Sequence, residues 1–320
     1  MILVGDIGGT YTRLALFEGD RKIEERKYFS RRYESLDALL LEFQQQRGVR
    51  IGKACFGVAG SVHQGVCKAT NLPWKIDALQ LGKVLQNARV EILNDLEAKA
   101  YGIDCLSEED LFPLQTGRRQ EGNRALIAAG TGLGEAGLVW DGTRFLPFAC
   151  EGGHADFAAR DEEEWALFLY LKKRLEHVSY EQVVSGPGLY HIFQFLTESG
   201  RAVLSPSVQK ELEANDPPRV ISEWGMSGKD PACARAFGWF LSLYGAEAGN
   251  LALKFLAING LYIAGGMAPV IKERMKEGEF LPSFAGKGRF RSFLESIPVW
   301  VVLNDDVALL GAAEYLRKKI

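Results

Sequence analysis

Two short tracts of this chain combine glycine with threonine in a way suited to holding an anion: Asp6-Ile7-Gly8-Gly9-Thr10 and Gly130-Thr131-Gly132-Leu133-Gly134. Glycine lacks a β-carbon, so the backbone can take unusual φ values and bring its N–H groups close to a ligand. The hydroxyls of Thr10 and Thr131 can donate to phosphate oxygens. Asp6, acceptor-only when ionised, suits Mg²⁺, chiefly through water because that ion dehydrates reluctantly. One such turn alone reads equally well as an ordinary β-hairpin. Two of them suggest a fold of two halves, each offering a phosphate-binding hairpin to a shared cleft, and so nucleotide chemistry. A third candidate is Asn94-Asp95, which ends the apolar run Val90-Glu91-Ile92-Leu93. Open α/β sheets place ligand groups at such strand ends, although Asn and Asp are also favoured helix caps.

The flanking residues define the elements that must hold these groups. Ile2-Leu3-Val4 and Leu14-Ala15-Leu16-Phe17 bracket the first turn; Leu126-Ile127-Ala128-Ala129 and Gly137-Leu138-Val139-Trp140 bracket the second. Each set reads as strand, tight turn, strand. Glu34 to Gln46 carries Leu36, Leu39, Leu40 and Phe43 at helical spacing. Lys53 to Gly60 predicts a strand, Asp77 a cap for a helix running through Val84, and Leu96 to Gly102 another helix. Gln115 to Asn123 reads as a loop. Glu162 to His177 predicts an amphipathic helix burying Trp165, Phe168, Leu169 and Leu175. Asp230 to Leu256 is a long apolar helix, Gly260 to Gly266 a strand ending in a glycine turn, Val299 to Leu303 a late strand and Ala308 to Lys319 a closing helix. Strands alternating with helices indicate the α/β class.

Composition sets the limits. A chain of 320 residues, 47% hydrophobic and 25% charged, suits about two globular domains. A net charge of −3 argues against a dedicated nucleic-acid surface. No apolar run reaches the ~20 residues of a membrane span, and the first residues lack the basic and apolar regions of a signal peptide. The five cysteines, Cys55, Cys67, Cys105, Cys150 and Cys233, are scattered without a CxxC pair. Reduced thiols and a cytoplasmic location are the expectation.

The ordered set of motifs resembles the bacterial ATP-dependent glucokinases: DIGGTYTRLALF from Asp6, FGVAG from Phe56, NLPW from Asn71 and LND from Leu93, then AAGTGLGEAGLVWDG from Ala128, EGGHADF from Glu151, EQVVSGPGL from Glu181 and AGGM from Ala264. Within the hexokinase/actin-like ATPase superfamily the resemblance is to the group lacking the zinc-binding cysteines of the ROK sugar kinases. It implies a two-domain actin-like ATPase (ribonuclease H-like) fold with an interdomain cleft. The small domain would comprise residues 1–105 with 298–320, and the large one residues 106–297.

The resemblance further implies that glucose is the substrate and ATP with Mg²⁺ the phosphoryl donor. Asp6, Gly8, Gly9, Thr10, Thr131, Gly132 and Gly134 would hold the phosphates, Asp6 the metal, and Gly265 and Gly266 would lie near the adenosine end. Asp95 would be the general base, with Asn94, Gly60, Glu151, His154 and Glu181 completing the sugar site. Carboxylate and imidazole suit a polyol, whose O–H groups need acceptors in fixed directions. His154 and Asp156 could instead be metal ligands, but His63, His177 and His191 show no supporting spacing. Tyr11 stands where many relatives have Asn, and Ser61 where Pro is common. Another hexose (mannose, fructose or an N-acetyl sugar) is an alternative substrate. A sugar-sensing regulator is disfavoured, because no DNA-binding segment fits ahead of Asp6. A homodimer is plausible from the family; no nucleic-acid or membrane partner is expected.

Overall fold

A computed structural model describes residues 1–318. It is α/β, as expected, and the chain divides into two compact units. The first contains residues 1–110, Leu146–Ala149 and the chain from Asn304 onward; the second contains Leu111–Phe145 and Cys150–Leu303.

The first unit is built on strands β1 (Ile2–Ile7), β2 (Tyr11–Glu18), β3 (Arg21–Phe29), β4 (Lys53–Val58) and, after a small three-stranded sheet of β5 (Val62–His63), β6 (Val66–Lys68) and β7 (Lys75–Asp77), β8 (Arg89–Asn94). The main sheet runs β3-β2-β1-β4-β8. β1 pairs antiparallel with β2, and the β1–β4 and β4–β8 pairs are parallel. Strand side chains alternate between faces, and both faces are apolar. Leu3, Leu14 and Leu16 pack with Leu36, Leu39, Leu40 and Phe43 of helix α1 (Leu36–Arg47). Val4, Ala15 and Phe17 pack on the other side with Leu309, Ala312 and Leu316 of the closing helix, Val307–Lys318.

Helix α2 (Ala78–Val84) is capped by Asp77, whose Oδ1 accepts from Leu79 N at 2.9 Å. α3 (Asp95–Gly102) follows β8 without a connecting loop. Gly102 and Gly311 have no room for a β-carbon, each facing backbone across the α3 to closing-helix contact. That close crossing fixes α3, and with it Asp95 at its first turn. Arg13 also ties the closing helix to β2, donating to Asp305 O at 2.7 Å and pairing with Asp306.

The second unit repeats the plan. Its six-stranded sheet holds β9 (Leu111–Gln115), β10 (Arg124–Ala129), β11 (Leu133–Trp140), β12 (Phe145–Cys150, of which Leu146–Ala149 belong to the first unit), β13 (Gly260–Ala264) and β14 (Val299–Val302), in the order β12-β11-β10-β13-β14-β9. The β10–β11 hairpin is antiparallel, and β10–β13 and β13–β14 are parallel. The sequence β3-β2-β1-β4-β8 thus has its counterpart in β12-β11-β10-β13-β14, the duplication that the paired turns suggested.

Helices α4 (Glu162–Lys172), α5 (Gly186–Glu198), α6 (Pro206–Ala214), α7 (Pro217–Met226) and α8 (Pro231–Phe255) precede β13; α9 (Ala268–Glu277), α10 (Phe280–Ala285) and α11 (Arg291–Glu295) follow it. α8 carries much of the core through Phe237, Phe240, Tyr244, Ala248 and Leu251. Its Gly245 and Gly249 let the α10 backbone pack against it, since neither has space for a β-carbon.

Two expectations need correction. The first unit extends to Asp110 and resumes at Asn304, instead of ending at 105 and resuming at 298. β14 is the reason at the second boundary: it pairs with β13 and β9 in the second sheet. α4 ends at Lys172, short of His177, and its buried residues are Glu164, Leu167 and Leu171. Trp165 and Leu169 lie exposed, Trp165 stacking on Phe168 with centroids 5.1 Å apart. The helix is turned because Glu164 is buried against Arg160, whose Nε donates to it at 2.9 Å. The closing helix was expected to reach Lys319, which lies outside the described residues. No helix among the described residues is long and apolar enough to cross a membrane.

Candidate active site

In the first unit the β1–β2 turn is closed by Gly8 N donating to Tyr11 O at 3.0 Å. Neither Gly8 nor Gly9 has a positive φ, so glycine is needed here for space and not for unusual backbone angles. A β-carbon on Gly8 would lie 2.9 Å from Tyr11 O, and one on Gly9 2.7 Å from Asn71 Cβ. Ser30, which nothing in the motif pattern singled out, clamps the turn: its Oγ donates to Gly8 O at 2.8 Å, and its N–H to Thr10 O at 2.9 Å. Thr10 is exposed. Tyr11 is exposed too, lying edge-on to Phe29 with Lys27 Nζ 4.1 Å from its ring centre.

Asp6 is the last polar residue of β1, and Asp95 opens α3. Asn94 caps that helix, its Oδ1 accepting from Leu96 N at 2.9 Å and Glu97 N at 3.3 Å, while its Nδ2 donates to Gly60 O at 3.1 Å. Asn94 and Gly60 are therefore joined, and most of the Asn94 amide is committed to holding backbone. Gly60 has φ +147° and no room for a β-carbon beside Lys68 O, so this position requires glycine.

One helical turn beyond Asp95, Lys99 Nζ donates to Asp95 Oδ2 at 3.2 Å, with the lysine side chain only 16% exposed. Burial works against the Lys99 charge, but Asp95 and Asp6 outweigh it and hold the pKa above the ordinary lysine value. Burial raises the Asp6 carboxyl; Lys99 opposes that rise, Asp95 adds to it and Arg13 opposes it. Two carboxylates thus share one buried cation. Lys99 was missed because only the i, i+4 spacing from Asp95 marks it.

In the second unit the β10–β11 turn carries Thr131, exposed, between Gly130 and Gly132. Gly130 N donates to Gly132 O at 2.8 Å, and Gly130 O accepts from Gly186 N, at the start of α5, at 2.8 Å. Gly265 (φ +90°), at the end of β13, abuts Ala129 O and admits no β-carbon. The expected adenosine turn and second phosphate turn therefore meet within this unit. Gly266 has open space around it, and Gly134 lies within β11.

The Glu151–His154 tract forms a short 3-10 turn, with Glu151 and His154 both exposed. Glu181 joins it to the phosphate turn, accepting from Leu133 N at 2.9 Å through Oε2 and placing Oε1 4.0 Å from His154 Nδ1. His177, unassigned from sequence, meets His154 O through Nε2 at 2.9 Å. Among the described residues no three His, Cys, Asp or Glu side chains gather as a metal site.

The structure thus collects the candidates in two groups: Asp6, Gly8, Gly9, Thr10, Gly60, Asn94 and Asp95 in the first unit, and Thr131, Gly132, Gly134, Glu151, His154, Glu181, Gly265 and Gly266 in the second. A duplicated sheet plan with an anion-suited hairpin in each half, and a polyol-suited turn tied to one of them, defines a protein of the sugar-kinase class. More particularly, the chain belongs to the glucokinase family: the family model described as Glucokinase matches residues 3–319.

A glucokinase from Trichormus variabilis is 42% identical over 98% of each chain. Among solved structures, a glucokinase from an Antarctic psychrotroph matches with TM-score 0.83 and 29% identity, covering 99% of this chain and 98% of that one. A glucokinase from Balamuthia mandrillaris in complex with glucose matches with TM-score 0.82 and 22% identity over 99% and 93%, a likeness of fold.

Proposed function

We propose that this chain transfers the terminal phosphoryl group of ATP to the 6-hydroxyl of D-glucose, giving ADP and D-glucose 6-phosphate. Membership of the glucokinase family supports the reaction. The single observation that carries the mechanism is Asp95 at the head of α3, fixed by Lys99 at 3.2 Å. Asp95 accepts the proton of the attacking hydroxyl as its oxygen bonds to phosphorus and the bond from phosphorus to the ADP oxygen breaks. Lys99 keeps that carboxylate oriented. Most of the acceleration comes from alignment and charge neutralisation, because the transferring group passes through a loose transition state.

The two hairpins hold phosphate oxygens through backbone N–H groups and the Thr10 and Thr131 hydroxyls. Glu151, His154 and Glu181 hold sugar hydroxyls. A hard-oxygen donor, Asp6, at the end of a phosphate-binding strand fits Mg²⁺ bound mainly through water. When bound, the ion neutralises phosphate charge.

Within its wider kin we assign the chain to the glucokinases outside the ROK group, in the actin-like ATPase superfamily; the absence of a CxxC pair supports this. Scattered cysteines without a CxxC pair suit a reducing cytoplasm, and a homodimer belongs to the same reading. The test is ADP release coupled to a sugar panel. Glucose should give the highest kcat/KM; a better rate with another hexose would overturn the substrate assignment.

A further inference from the structure

Beneath the Glu151–His154 turn lies a group of buried ionisable side chains that phosphoryl transfer does not use. Glu135, on β11, is 1% exposed, and Glu247, on α8, 0%. Glu135 Oε2 fills the place where a β-carbon on Gly152 would stand, so its carboxyl is the surface on which the backbone of the sugar turn rests. Glu135 Oε1 meets no donor, and the neighbour within hydrogen-bonding reach of this side chain is the Glu247 carboxyl. A buried carboxylate in that position is costly, whereas the neutral acid is tolerated far better.

The nearby cation is committed to the other carboxyl. Lys254 Nζ lies 3.2 Å from Glu247 Oε1, and Asn250 Nδ2 donates to Glu247 Oε2 at 2.8 Å. Asn250 Nδ2 also lies 3.1 Å from the Tyr180 hydroxyl, and Tyr180 immediately precedes Glu181. Lys287, beyond α10, donates to Asn250 Oδ1. The ionisable groups facing Glu135 are Glu247, Lys254 and Tyr244 from α8 and Cys150 from β12. Glu247 thus has Lys254 and Asn250 as partners, and the Glu135 carboxyl lies beside it without a cation of its own.

We propose that Glu135 is a positioning residue of the sugar turn, holding Gly152, and through it Glu151 and His154, for as long as its carboxyl keeps its proton. Loss of that proton to water puts a negative charge beside the Glu247 carboxyl and displaces the turn. In support, burial first and Glu247 second push the Glu135 carboxyl up to about 8, against the pull of Lys254. The proposal rests on the assignment of Glu151 and His154 to sugar.

The test uses the full-length enzyme and its Glu135→Gln variant, which keeps the shape but has no proton to lose. Between about pH 7 and about pH 9.5 the wild-type KM for glucose should rise roughly fivefold while the KM for ATP stays level; the variant should keep a flat glucose KM, within about twofold of wild type at neutral pH. The same alkaline rise in both proteins would overturn the proposal, as would a variant that weakens glucose and ATP equally. A second readout is independent of turnover and of the variant's folding: the infrared C=O stretch of a buried protonated carboxyl should be present in the wild type at neutral pH and vanish on alkaline titration. Its absence at neutral pH would overturn the proposal. A wild-type enzyme that showed this band but did not phosphorylate glucose would overturn the sugar assignment, and with it the role given to Glu135.

Discussion

At the scale of single residues the proposed chemistry centres on Asp95, with Lys99 beside it and Asp6 coupled to both by charge. Lys99 sits four residues after Asp95, on the same face of α3, and its buried ammonium is held charged by both carboxylates. Removing it leaves Asp95 without its partner, and a hydrogen bond to a charged group contributes about 1.5–3 kcal/mol. Lys99→Met should therefore lower kcat by roughly tenfold or more while glucose binding changes little, and Lys99→Arg should recover part of the loss. Steady-state kinetics beside calorimetric glucose titration check this; an unchanged kcat would remove Lys99 from the mechanism. The place of Asp95 was legible in the sequence because Leu93-Asn94-Asp95 closes an apolar strand; its role as base is the proposal. Glu135 was not, because strand alternation says that it points inward but not that Gly152 lies above it. The glycines were read correctly for position and only half correctly for cause: Gly8 and Gly9 serve close approach, while Gly60 and Gly265 serve positive φ as well.

At the scale of elements, the hairpin turns depend on clamps from neighbouring segments. Ser30 holds Gly8 O and Thr10 O and also meets the buried Thr12 hydroxyl at 3.0 Å. Ser30→Ala should cost about 1 kcal/mol of stability in urea unfolding, in line with a lost buried hydrogen bond, and should raise the KM for ATP more than that for glucose. Equal effects on both would mean that the clamp serves folding alone. Gly265→Ala forces a β-carbon onto a φ of +90° against Ala129 O, so it should destabilise the second unit by at least about 1 kcal/mol and weaken ATP binding. Helix starts were readable at the caps Asp77, Asn94 and Asp230, whereas the helices capped by Ser185, Ser205 and Asp216 were not singled out. The buried face of α4 was not, because a charged residue, Glu164, occupies it and two large apolar ones do not. Periodicity alone ranks Trp165 above Glu164, and only the Arg160 partner reverses that order.

At the scale of the molecule, the duplicated plan was visible in the paired turns, whereas the unit boundaries were not. Val299–Val302 is an apolar strand whose composition suits either sheet, and its pairing with β13 and β9 decides the matter. The buried charges also shape stability against pH. Glu135 has a folded pKa near 8 against an ordinary 4.5, so between those values the folded state binds more protons and stability falls as pH rises. Burial lowers Lys287 to about 8 from 10.5, so across that higher window the unfolded state binds more protons and this contribution rises with pH. Urea unfolding should therefore show less decline between about pH 5 and about pH 8 in Glu135→Gln than in the wild type; identical slopes would place the proton elsewhere. The central claim, that Asp95 takes the proton from glucose, is tested most directly by Asp95→Asn, with ADP release and glucose affinity measured on the same preparation. The account predicts glucose binding within a few-fold of wild type and a kcat lower by on the order of 10²–10⁴. A variant that turns over at a near-normal rate would contradict it.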